Sequence, residues 1–578
     1  NTESDSQTCD TVSGGLLICS WKIYCIASSG LVLNVNRQLG VGQSVWEMDL
    51  RLGAGLIRRW MSSSSAPRTI PIIERAQMFQ GRQAVVDKNG ENKTYEELLG
   101  ASNKVSGALK KAVGKDNLKG DRVAFLCDPG SDYVAAQWGS WQSGGCAVPL
   151  CISHPKPELE YVLDNCGASA IVADKKYAKL GQELADEHGY KFVPLEDDSS
   201  TDTDMCKWDP DAPAMFVYTS GTTGKPKGVV TRHSALQAQI LDQYCSWGWD
   251  ESDRVINCLP LHHVHGVVNL TCVPLYSGAC IEFMSPRAER IWQRIRMGPL
   301  AGGDISVFMA VPTIYSRLIK SFEEMHDNEK KACTESAREL RLMVSGSAAL
   351  PDTVMERWKE ITGHTLLQRY GMTEIGMALS QPLRPVSERH TGYVGTPMPS
   401  VSVKLVCPDT GDELDPNTGA PGILHVKGEN VFQEYYKNPQ ATAKEFDQDG
   451  WFITGDVASY SKEKNSYKIL GRASVDIIKS AGYKLSALEI ERHFLENPWV
   501  DDIAVLGIPD EEYGEVVAAV VVPSKNVDGS LDALKKWADV NIAKYKHPRK
   551  FVILDELPKN AMGKVNKKDL RTQLFDKK

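Results

Sequence analysis

The chain has 578 residues, 42% of them apolar and 24% charged, so it is too long for one hydrophobic core and we expect two or three globular domains. A formal net charge of −8 disfavours a general nucleic-acid binder, because recognition of a phosphate backbone needs clustered Lys and Arg. The 14 cysteines are scattered without a Cys-x-x-Cys pair, which indicates reduced thiols in an intracellular protein and not a disulfide framework or a zinc site.

The first 65 residues differ from the rest of the chain and stand outside the fold prediction. An apolar stretch at 14–36 is interrupted by polar residues, so a membrane anchor is not expected there. From Met48 onward the segment is rich in Arg and Ser and nearly free of acidic residues, which is typical of a mitochondrial transit peptide. We therefore expect residues 1–65 to be a leader that targets the protein to the mitochondrial matrix. A leader without a targeting role, on a cytoplasmic protein, is the alternative.

From about residue 66, segments with strand character alternate with segments of helical spacing. Arg122–Leu126 and Ala170–Ala173 are short β-like apolar runs, whereas Tyr95–Ala112 and Pro157–Asn165 carry the helical pattern. This alternation predicts an α/β fold with largely parallel sheets.

A linker candidate near Gly471–Ser474 divides the predicted fold. It separates a large N-terminal domain, residues 66–471, from a smaller α+β C-terminal domain, residues 475–578, and leaves 472–474 as a hinge. Ser474 is the predicted hinge residue, because small residues can absorb a large change in φ and ψ.

A phosphate-binding loop follows a predicted apolar strand, Ala214–Val217. The run Tyr-Thr-Ser-Gly-Thr-Thr-Gly-Lys-Pro-Lys-Gly at 218–228 combines two lysines with glycines and hydroxyl side chains, which let backbone N–H groups approach phosphate oxygens. A Walker loop is not supported, because position 219 is Thr and Pro226 follows the lysine. The predicted phosphate contacts of ATP or AMP are Thr219, Ser220, Gly221, Thr222, Thr223, Gly224, Lys225 and Lys227. A flexible surface loop is the alternative.

Four further motifs follow in order: Gln-Arg-Tyr-Gly-Met-Thr-Glu at 368–374, Trp-Phe-Ile-Thr-Gly-Asp at 451–456, a Gly-Arg to Glu-Ile-Glu segment at 471–491, and Asn-Ala-Met-Gly-Lys-Val at 560–565. With the phosphate loop, they resemble the signatures of the adenylate-forming superfamily, which includes acyl-CoA synthetases, peptide-synthetase adenylation domains and beetle luciferases. The resemblance spans roughly residues 75–572. It implies an enzyme that uses ATP and Mg²⁺ to convert a carboxylic acid into its acyl-adenylate, and then transfers the acyl group to coenzyme A.

The resemblance also implies an architecture. The N-terminal domain would combine parallel sheets and flanking helices with a β-barrel-like subdomain, and the small C-terminal domain would be mobile. Members of the superfamily rotate that domain between the two half-reactions; Ser474 stands at the hinge where many of them have Asp or Lys. After rotation, Ser480, Ala481 and Gly482 would line the thiol tunnel.

Catalytic roles follow from the same resemblance. Adenylation brings two anions together, so the site needs cations and donors aimed at the developing charge. Lys564 would bridge the carboxylate and the α-phosphate, Glu374 would hold Mg²⁺ beside Thr373, and His265 would gate the passage between acyl pocket and thiol tunnel.

The nucleotide site is implied in the same way. Asp456 would accept from the ribose hydroxyls, Tyr370 would be the platform for adenine, and Arg472 would contact ribose and phosphate. The remaining predicted nucleotide contacts are Gly346, Ser347, Ala348, Arg369, Gly371 and Met372.

The run Leu-His-His-Val-His-Gly at 261–266 invites a metal site. We do not expect one, because His262 and His263 point apart on any regular backbone and no cysteine or carboxylate lies nearby at ligand spacing.

Arg369 and Arg317 bear on the acid that is activated. Superfamily members that act on fatty or aromatic acids keep the position of Arg369 small, and Arg317 lies on a neighbouring pocket segment. A second carboxylate on the substrate would need such a partner, since Arg offers a bidentate fork. With Ser347 and Met377 as further acid contacts, the chain resembles the malonyl-CoA synthetases of mitochondrial type, with methylmalonate tolerated.

Alternatives stay open at this point. Both arginines could pair with surface carboxylates, which favours a short- or medium-chain monocarboxylate as substrate. An adenylation domain that feeds a carrier protein, and a non-catalytic AMP-binding scaffold, are the other two. We expect small-molecule substrates only, without nucleic acid or stable membrane insertion.

Overall fold

The computed structural model describes residues 70–196, 204–219, 225–298, 303–480, 483–525, 527–559 and 565–576, together with the backbone of two short strands before them. The chain divides into two compact units, Asn1–Ile70 and Pro71–Lys578. In the first unit, strands Ile18–Cys19 and Lys22–Ile23 pair antiparallel. In the second unit, the described residues form four sheets.

A seven-stranded sheet forms the first layer of the second unit. Its strand order is Glu434–Tyr435, Lys227–Arg232, Pro213–Thr219, Cys146–Pro149, Arg122–Leu126, Ala168–Ala173 and Lys191–Pro194. The last five run parallel, and Lys227–Arg232 is antiparallel to both of its neighbours. Parallel strands are buried on both faces, which explains the nearly continuous apolar runs in the sequence.

A nine-stranded sheet forms a second layer. Its order is Thr396–Pro397, Gly376–Ser380, Leu367–Met372, Leu342–Ser345, Val307–Ala310, Arg254–Asn257, Cys280–Phe283, Gln83–Val86 and Asn92–Thr94. The six strands from Leu367–Met372 to Gln83–Val86 run parallel, and the strands at both ends pair antiparallel. A large apolar core lies around this sheet.

Helices cover these two sheets, as expected for crossover connections between parallel strands. Their bounds are Ile72–Ala76, Tyr95–Val113, Ser131–Gln142, Lys156–Cys166, Ala178–His188, His233–Ser246, Val273–Ser277, Ala288–Met297, Pro312–Glu323, Asp327–Arg338, Asp352–Thr362 and Pro439–Lys444, with a π-helix at His265–Cys272. None of the described helices is both long enough and apolar enough to cross a lipid bilayer.

Two smaller sheets complete the second unit. Five antiparallel strands, in the order Glu413–Leu414, Val401–Val406, Gly422–Gly428, Phe452–Ser461 and Ser466–Arg472, stand where the resemblance implied a β-barrel-like subdomain. The C-terminal sheet contains Tyr483–Ser486, Ile477–Ser480, Gly514–Pro523, Val500–Asp510 and Lys550–Ile553. Helices Ala487–Phe494 and Leu531–Asn541 pack on one face of that sheet, and Lys567–Leu574 packs on the other.

Local sequence signals set the ends of the helices. The helix Tyr95–Val113 begins with a capping box, in which the Thr94 hydroxyl accepts from the Glu97 N–H at 3.2 Å while the Glu97 carboxylate accepts from the Thr94 N–H at 2.7 Å. It ends at Gly114, whose φ of 73° is left-handed and suits glycine. The helix predicted at Tyr95–Ala112 is therefore confirmed within one residue.

The predicted fold class is confirmed. The strand predicted at Arg122–Leu126 has those bounds in the structure, and the segment after Arg472 folds into a separate mixed sheet with its own cores. The exact domain limits and the hinge stay predictions.

Candidate active site

The phosphate loop is anchored at both ends. The two strands that flank it pair antiparallel, with Thr219 opposite Lys227. The hydroxyl of Tyr161 donates to the carbonyl of Pro226 at 2.7 Å and fixes the end of the loop. The predicted contacts Ser220, Gly221, Thr222, Thr223 and Gly224 lie outside the described residues.

Both lysines of the loop lie beside aromatic rings. Lys225 is exposed, and its Nζ is 5.2 Å from the ring centroid of Tyr161. Lys227 is half-buried, with its Nζ 3.9 Å from the ring centroid of Tyr435 and 3.9 Å from the Glu445 carboxylate. Two positive charges therefore lie at the C-terminal end of the loop, where they can pair with phosphate oxygens.

Glu374 lies in the tight turn between strands Leu367–Met372 and Gly376–Ser380. It is buried, and the hydroxyl of Tyr435 donates to its Oε1 at 2.7 Å. Burial raises the pKa of the Glu374 carboxyl, because desolvation outweighs the stabilisation of the charged form by the Tyr435 hydrogen bond. The same Tyr435 ring faces Lys227, so this carboxylate lies next to the phosphate loop.

The donor set around Glu374 fits Mg²⁺. This hard cation takes one or two protein carboxylates and completes its shell with phosphate oxygens and water. Glu374 supplies a buried carboxylate, and no Lys, Arg or His of the described residues forms an ion pair with it. Thr373, half-buried beside it, adds a hydroxyl.

Tyr370, Asp456 and Arg472 form a hydrogen-bonded cluster that joins two sheets. The Tyr370 hydroxyl donates to Asp456 Oδ2 at 2.6 Å, and Arg472 Nε lies 2.9 Å from Asp456 Oδ1. Arg472 also donates from Nη1 to the carbonyl of Thr454 at 2.7 Å. The three residues predicted for ribose and adenine are thus brought together, with both carboxylate oxygens engaged by protein donors.

Arg369, Ser347 and His265 form a second cluster. Arg369 Nη2 lies 3.4 Å from Ser347 Oγ, which in turn is 3.1 Å from His265 Nδ1. Ser347 has a left-handed φ of 69°, which is unusual for a residue with a side chain and turns its hydroxyl toward both partners. A Cβ on Gly346 would come within 2.6 Å of the Arg369 guanidinium, so glycine is needed there for close packing.

The Arg369 guanidinium is buried without a countercharge. The residue is 4% exposed, its Nε has no hydrogen-bond partner, and no carboxylate of the described residues forms an ion pair with it. Burial lowers the pKa of Arg369 to about 9. Burial, together with the nearby Arg369 charge, holds the pKa of His265 well below its ordinary value. The cluster is therefore a positively charged site in which the guanidinium has no anionic partner among the described residues.

Arg389 is a second buried arginine, and each of its nitrogens has a hydrogen-bond acceptor. Its Nε, Nη1 and Nη2 donate to the carbonyls of Pro382, Thr365 and Leu383 at 3.0, 2.7 and 2.8 Å. Backbone oxygens thus accept a hydrogen bond from each of its three nitrogens. Arg369 differs because its surroundings do not supply these acceptors.

Arg317, the second arginine predicted to contact the acid, has no described contact with this cluster, and its role stays a prediction. It is exposed on the helix Pro312–Glu323, whose buried face consists of residues such as Ile314 and Leu318. No described contact joins Arg317 to Arg369, Ser347 or His265. A guanidinium in water gains little from a distant carboxylate, because solvent screens the attraction. Met377, in contrast, is buried, and its Cε would lie 2.7 Å from a Cβ on Gly371, next to the Tyr370 strand.

His265 begins the π-helix His265–Cys272. Asn257 Nδ2 donates to the carbonyls of Gly266 and Leu270 at 3.2 and 3.1 Å, which satisfies backbone groups left open by the wide helix. Because π-helical turns are rare and occur mostly at functional sites, this geometry agrees with a role for His265 in the acid pocket.

The argument against a metal at the histidine run was wrong in two respects. The side chains of His262 and His263 do not point apart, because their ring centroids lie 4.1 Å from each other. Cys151 and His154 lie next to His262, although both are far from it in the sequence. The strands Cys146–Pro149 and Arg254–Asn257 belong to different sheets, and the loops after them meet at this point.

The hinge segment forms a tight turn. Ser474 is exposed between strands Ser466–Arg472 and Ile477–Ser480, and the Asp476 carboxylate accepts from the Arg472 N–H at 3.0 Å. Ser480 is buried at the end of its strand. Ala481, Gly482 and Lys564 lie outside the described residues, so their roles stay predictions.

The sequence pattern of AMP-binding enzymes matches residues 72–436, and that of the AMP-binding enzyme C-terminal domain matches residues 489–564. The chain belongs to the AMP-binding enzyme family. The predicted membership of the adenylate-forming enzymes is therefore confirmed.

Individual relatives of this AMP-binding enzyme include mitochondrial malonate–CoA ligase of Xenopus laevis, which is 41% identical over 93% of this chain and 99% of its own length. Malonate–CoA ligase of Arabidopsis thaliana is 41% identical over 80% of each chain. The structure of ATP-bound MatB from Rhodopseudomonas palustris has a TM-score of 0.77 and 30% identity, covering 90% of this chain and 99% of that one. The Bacillus subtilis o-succinylbenzoate CoA synthetase, in complex with ATP and magnesium ion, has a TM-score of 0.73 and 26% identity, covering 86% and 98%.

Sequence reasoning missed several residues of this AMP-binding enzyme. Tyr435, whose hydroxyl donates to Glu374, lies outside the motifs. Thr454 lies inside one of them, but its sequence position does not reveal that its carbonyl accepts from Arg472. Lys567 was also missed; its Nζ lies 2.6 Å from Asp476 and 2.7 Å from Glu491. Such partners carry no signal of their own in the sequence, because they are defined by proximity in the fold.

Proposed function

We propose that this AMP-binding enzyme is an ATP-dependent malonate–CoA ligase. In the first half-reaction, one carboxylate of malonate attacks the α-phosphorus of ATP, and pyrophosphate leaves. In the second, the thiol of coenzyme A loses its proton, its sulfur attacks the acyl carbon, and AMP leaves. The relatives named malonate–CoA ligase, which match most of the chain, support this activity.

The buried, uncompensated Arg369 is the observation that carries the choice of acid. Malonate keeps a second carboxylate after the first has been adenylated, and that carboxylate needs a cationic partner in a site shielded from water. A charge without a partner is costly to bury, so the Arg369 guanidinium gains most from a ligand that brings an opposite charge. A monocarboxylate such as butyrate would leave Arg369 unpaired. This argues against the monocarboxylate alternative.

The Ser347 hydroxyl supports the same orientation. It lies between Arg369 and His265, so it can donate to a carboxylate oxygen held by the guanidinium. His265 is neutral at physiological pH, which leaves the positive charge of the pocket on Arg369. Methylmalonate should also be accepted to some degree, since one methyl group changes binding by only about 1–3 kcal/mol.

The remaining roles rest on the residues that surround the nucleotide. We assign Lys225 and Lys227 to the phosphates, Asp456 and Arg472 to the ribose side, and Tyr370 to the adenine. Lys564 would approach the α-phosphate from the C-terminal domain. Glu374 would hold Mg²⁺, which, when bound, neutralises phosphate charge and orients the phosphate oxygens.

We further propose that the protein acts in mitochondria. The Arg- and Ser-rich segment from Met48, nearly free of acid, is the feature of this chain that supports that location. The vertebrate malonate–CoA ligases that it matches are themselves named mitochondrial.

Replacement of Arg369 by Gly tests the choice of acid. A charge-assisted hydrogen bond contributes about 1.5–3 kcal/mol, so kcat/KM for malonate should fall by at least one to two orders of magnitude. Butyrate should lose far less, because it presents no second charge. Arg369→Met retains most of the side-chain volume and should give the same bias, which separates the lost charge from a lost packing contact.

Two further variants make the test selective. Arg317→Ala should show the same bias against malonate if both arginines serve one carboxylate, whereas an unchanged ratio of malonate to butyrate activity would assign that carboxylate to Arg369 alone. Lys564→Ala should abolish acyl-adenylate formation with either acid. If malonate and butyrate lost activity in parallel in the Arg369 variants, the dicarboxylate assignment would be wrong.

A further inference from the structure

A cluster of cysteine and histidine side chains lies between two loops of the N-terminal sheets. One ligand atom from each of Cys151, His154 and His262 lies within 4.8 Å of the other two. Cys151 is buried, while the two histidines are half-buried. These residues take no part in the adenylation chemistry described above.

The first two members of the cluster lie on one turn. The carbonyl of Cys151 accepts from the His154 N–H at 3.1 Å, so the chain reverses between them. A turn of this kind places the side chains of residues i and i+3 on the same side. The resulting Cys-x-x-His spacing equals that of the short ligand pairs in zinc sites.

The third member comes from the other large sheet. His262 lies in the turn between strand Arg254–Asn257 and the π-helix His265–Cys272. Its ring centroid is 5.8 Å from that of His154. A ligand held by all three side chains would therefore join the loop after strand Cys146–Pro149 to the turn that leads into His265.

We propose that Cys151, His154 and His262 bind a zinc ion, with water as the fourth ligand. Sulfur and imidazole nitrogen are the donors that Zn²⁺ prefers, at about 2.3 and 2.0–2.1 Å, and a site with three protein ligands keeps one position for water. In a tetrahedron with these bond lengths the ligand atoms are about 3.3–3.6 Å apart. The side chains need to close by at most about 1.5 Å, which χ rotations supply.

Glu158 strengthens the case for His154 as a ligand. Its Oε2 lies 3.3 Å from His154 Nδ1, one helical turn further along the chain. A carboxylate at this position holds the proton on Nδ1 and leaves the Nε2 lone pair for a metal, as second-layer carboxylates do in zinc sites. Glu158 is thus a positioning residue and not a ligand.

Zinc binding is coupled to deprotonation and to folding. The Cys151 thiol gives up its proton to solvent when the Zn–S bond forms. The folded chain alone assembles ligands from two sheets, and the ion therefore stabilises the folded state over the unfolded one. The π-helix that carries His265 is held more firmly as a result.

The test uses cobalt as a spectroscopic probe of the full-length protein after treatment with chelator. Co²⁺ bound at this site should give a thiolate-to-cobalt charge-transfer band and intense tetrahedral d–d bands at one equivalent. Cys151→Ser should remove the charge-transfer band. Cys166→Ser is the matched control, because Cys166 is also buried but its Sγ faces the carbonyl of Leu163 at 3.4 Å; this variant should retain the band.

Zinc affinity, measured by competition with a chelating dye, provides a second readout. His262→Gln should weaken zinc binding at least tenfold, and Glu158→Gln about tenfold. His188→Gln, which alters a separate cluster with Glu160 and Glu187, should bind zinc as the wild type does. Added zinc should raise the thermal midpoint of the wild type and of the controls, but not that of the Cys151 and His262 variants.

The absence of a thiolate band in the wild type would overturn the proposal. So would wild-type zinc affinity in both Cys151→Ser and His262→Gln, because the metal would then be bound elsewhere. Thermal midpoints recorded without metal show whether each variant is folded, so a loss of binding in a folded variant counts for the site.

Discussion

Two buried arginines differ in how far their neighbours satisfy the guanidinium group. Arg389 has its nitrogens satisfied by backbone carbonyls, whereas Arg369 lies equally buried beside a hydroxyl and a neutral histidine. Burial lowers the pKa of both guanidinium groups, that of Arg389 to about 10, because desolvation disfavours the charged form. The lowered pKa of Arg369, about 9, results from this desolvation.

We therefore expect an alkaline limit on malonate use. The guanidinium loses its charge as the pH rises through its pKa of about 9, so kcat/KM for malonate should fall above that pH. The limit should appear in kcat/KM, which reports the free enzyme, and less in kcat, since a bound carboxylate raises the pKa of Arg369 in the complex.

ATP–pyrophosphate exchange without coenzyme A measures this limit, because the ionisation of the thiol then plays no part. Butyrate-dependent exchange in the same buffers is the control and should not show the same alkaline fall. An identical profile for both acids would mean that a group other than Arg369 controls the alkaline limb.

The sequence identified the residues of the site better than it identified their partners. The motifs contain Tyr370, Asp456 and Arg472, and the structure joins these three directly. The sequence could not fix the orientation of Arg317, because the side of a helix that faces a pocket depends on where the helix starts and on what packs against it. It also missed Cys151 as a neighbour of His262, since the two approach each other only when two separate sheets are assembled.

At the level of elements, the turn after Arg472 is tied to the last helix. The Asp476 carboxylate accepts from the Arg472 N–H and lies 2.6 Å from Lys567 Nζ, which also lies 2.7 Å from Glu491. Lys567 is at the start of the helix Lys567–Leu574, three residues after Lys564. The buried ion cluster of Asp476, Glu491 and Lys567 therefore connects the predicted hinge to the segment that carries Lys564.

Removal of Lys567 should loosen the C-terminal domain. Lys567→Met leaves without a cation two carboxylates whose side chains are 15% and 14% exposed. Because the loss of one partner from a fully buried pair costs about 3–5 kcal/mol, we expect a loss of up to about 3 kcal/mol here. Hydrogen exchange of the slowest amides in strand Gly514–Pro523 measures the free energy of unfolding of this sheet. The matched control is Lys484→Met, which breaks an exposed ion pair with Asp409 at 2.7 Å and should cost less than about 1 kcal/mol. Equal losses in the two variants would show that the buried cluster has no special role.

Across the whole molecule, the alternation of strand and helix patterns was enough to predict an α/β fold with largely parallel sheets. Strand Arg122–Leu126 and helix Tyr95–Val113 were predicted almost to the residue, because short apolar runs and capping signals are local. The order of strands within each sheet was not predictable in this way. It depends on crossovers between distant segments, such as the parallel pairing of Cys280–Phe283 with Gln83–Val86.

The predicted leader affects the whole chain, because it would determine the compartment in which the enzyme works. Residues 48–75 contain Arg51, Arg58 and Arg59 with few acidic residues. A positive charge that crosses an inside-negative membrane gains about 2.3 kcal/mol per 100 mV, so these arginines favour import into the matrix. A reporter fused after residues 48–75 should therefore accumulate in mitochondria, as measured by fluorescence microscopy and protease protection of purified organelles. The same fusion with all three arginines changed to Gln should stay largely in the cytosol, whereas a diffuse cytosolic signal from the unchanged fusion would show that this segment does not target the protein.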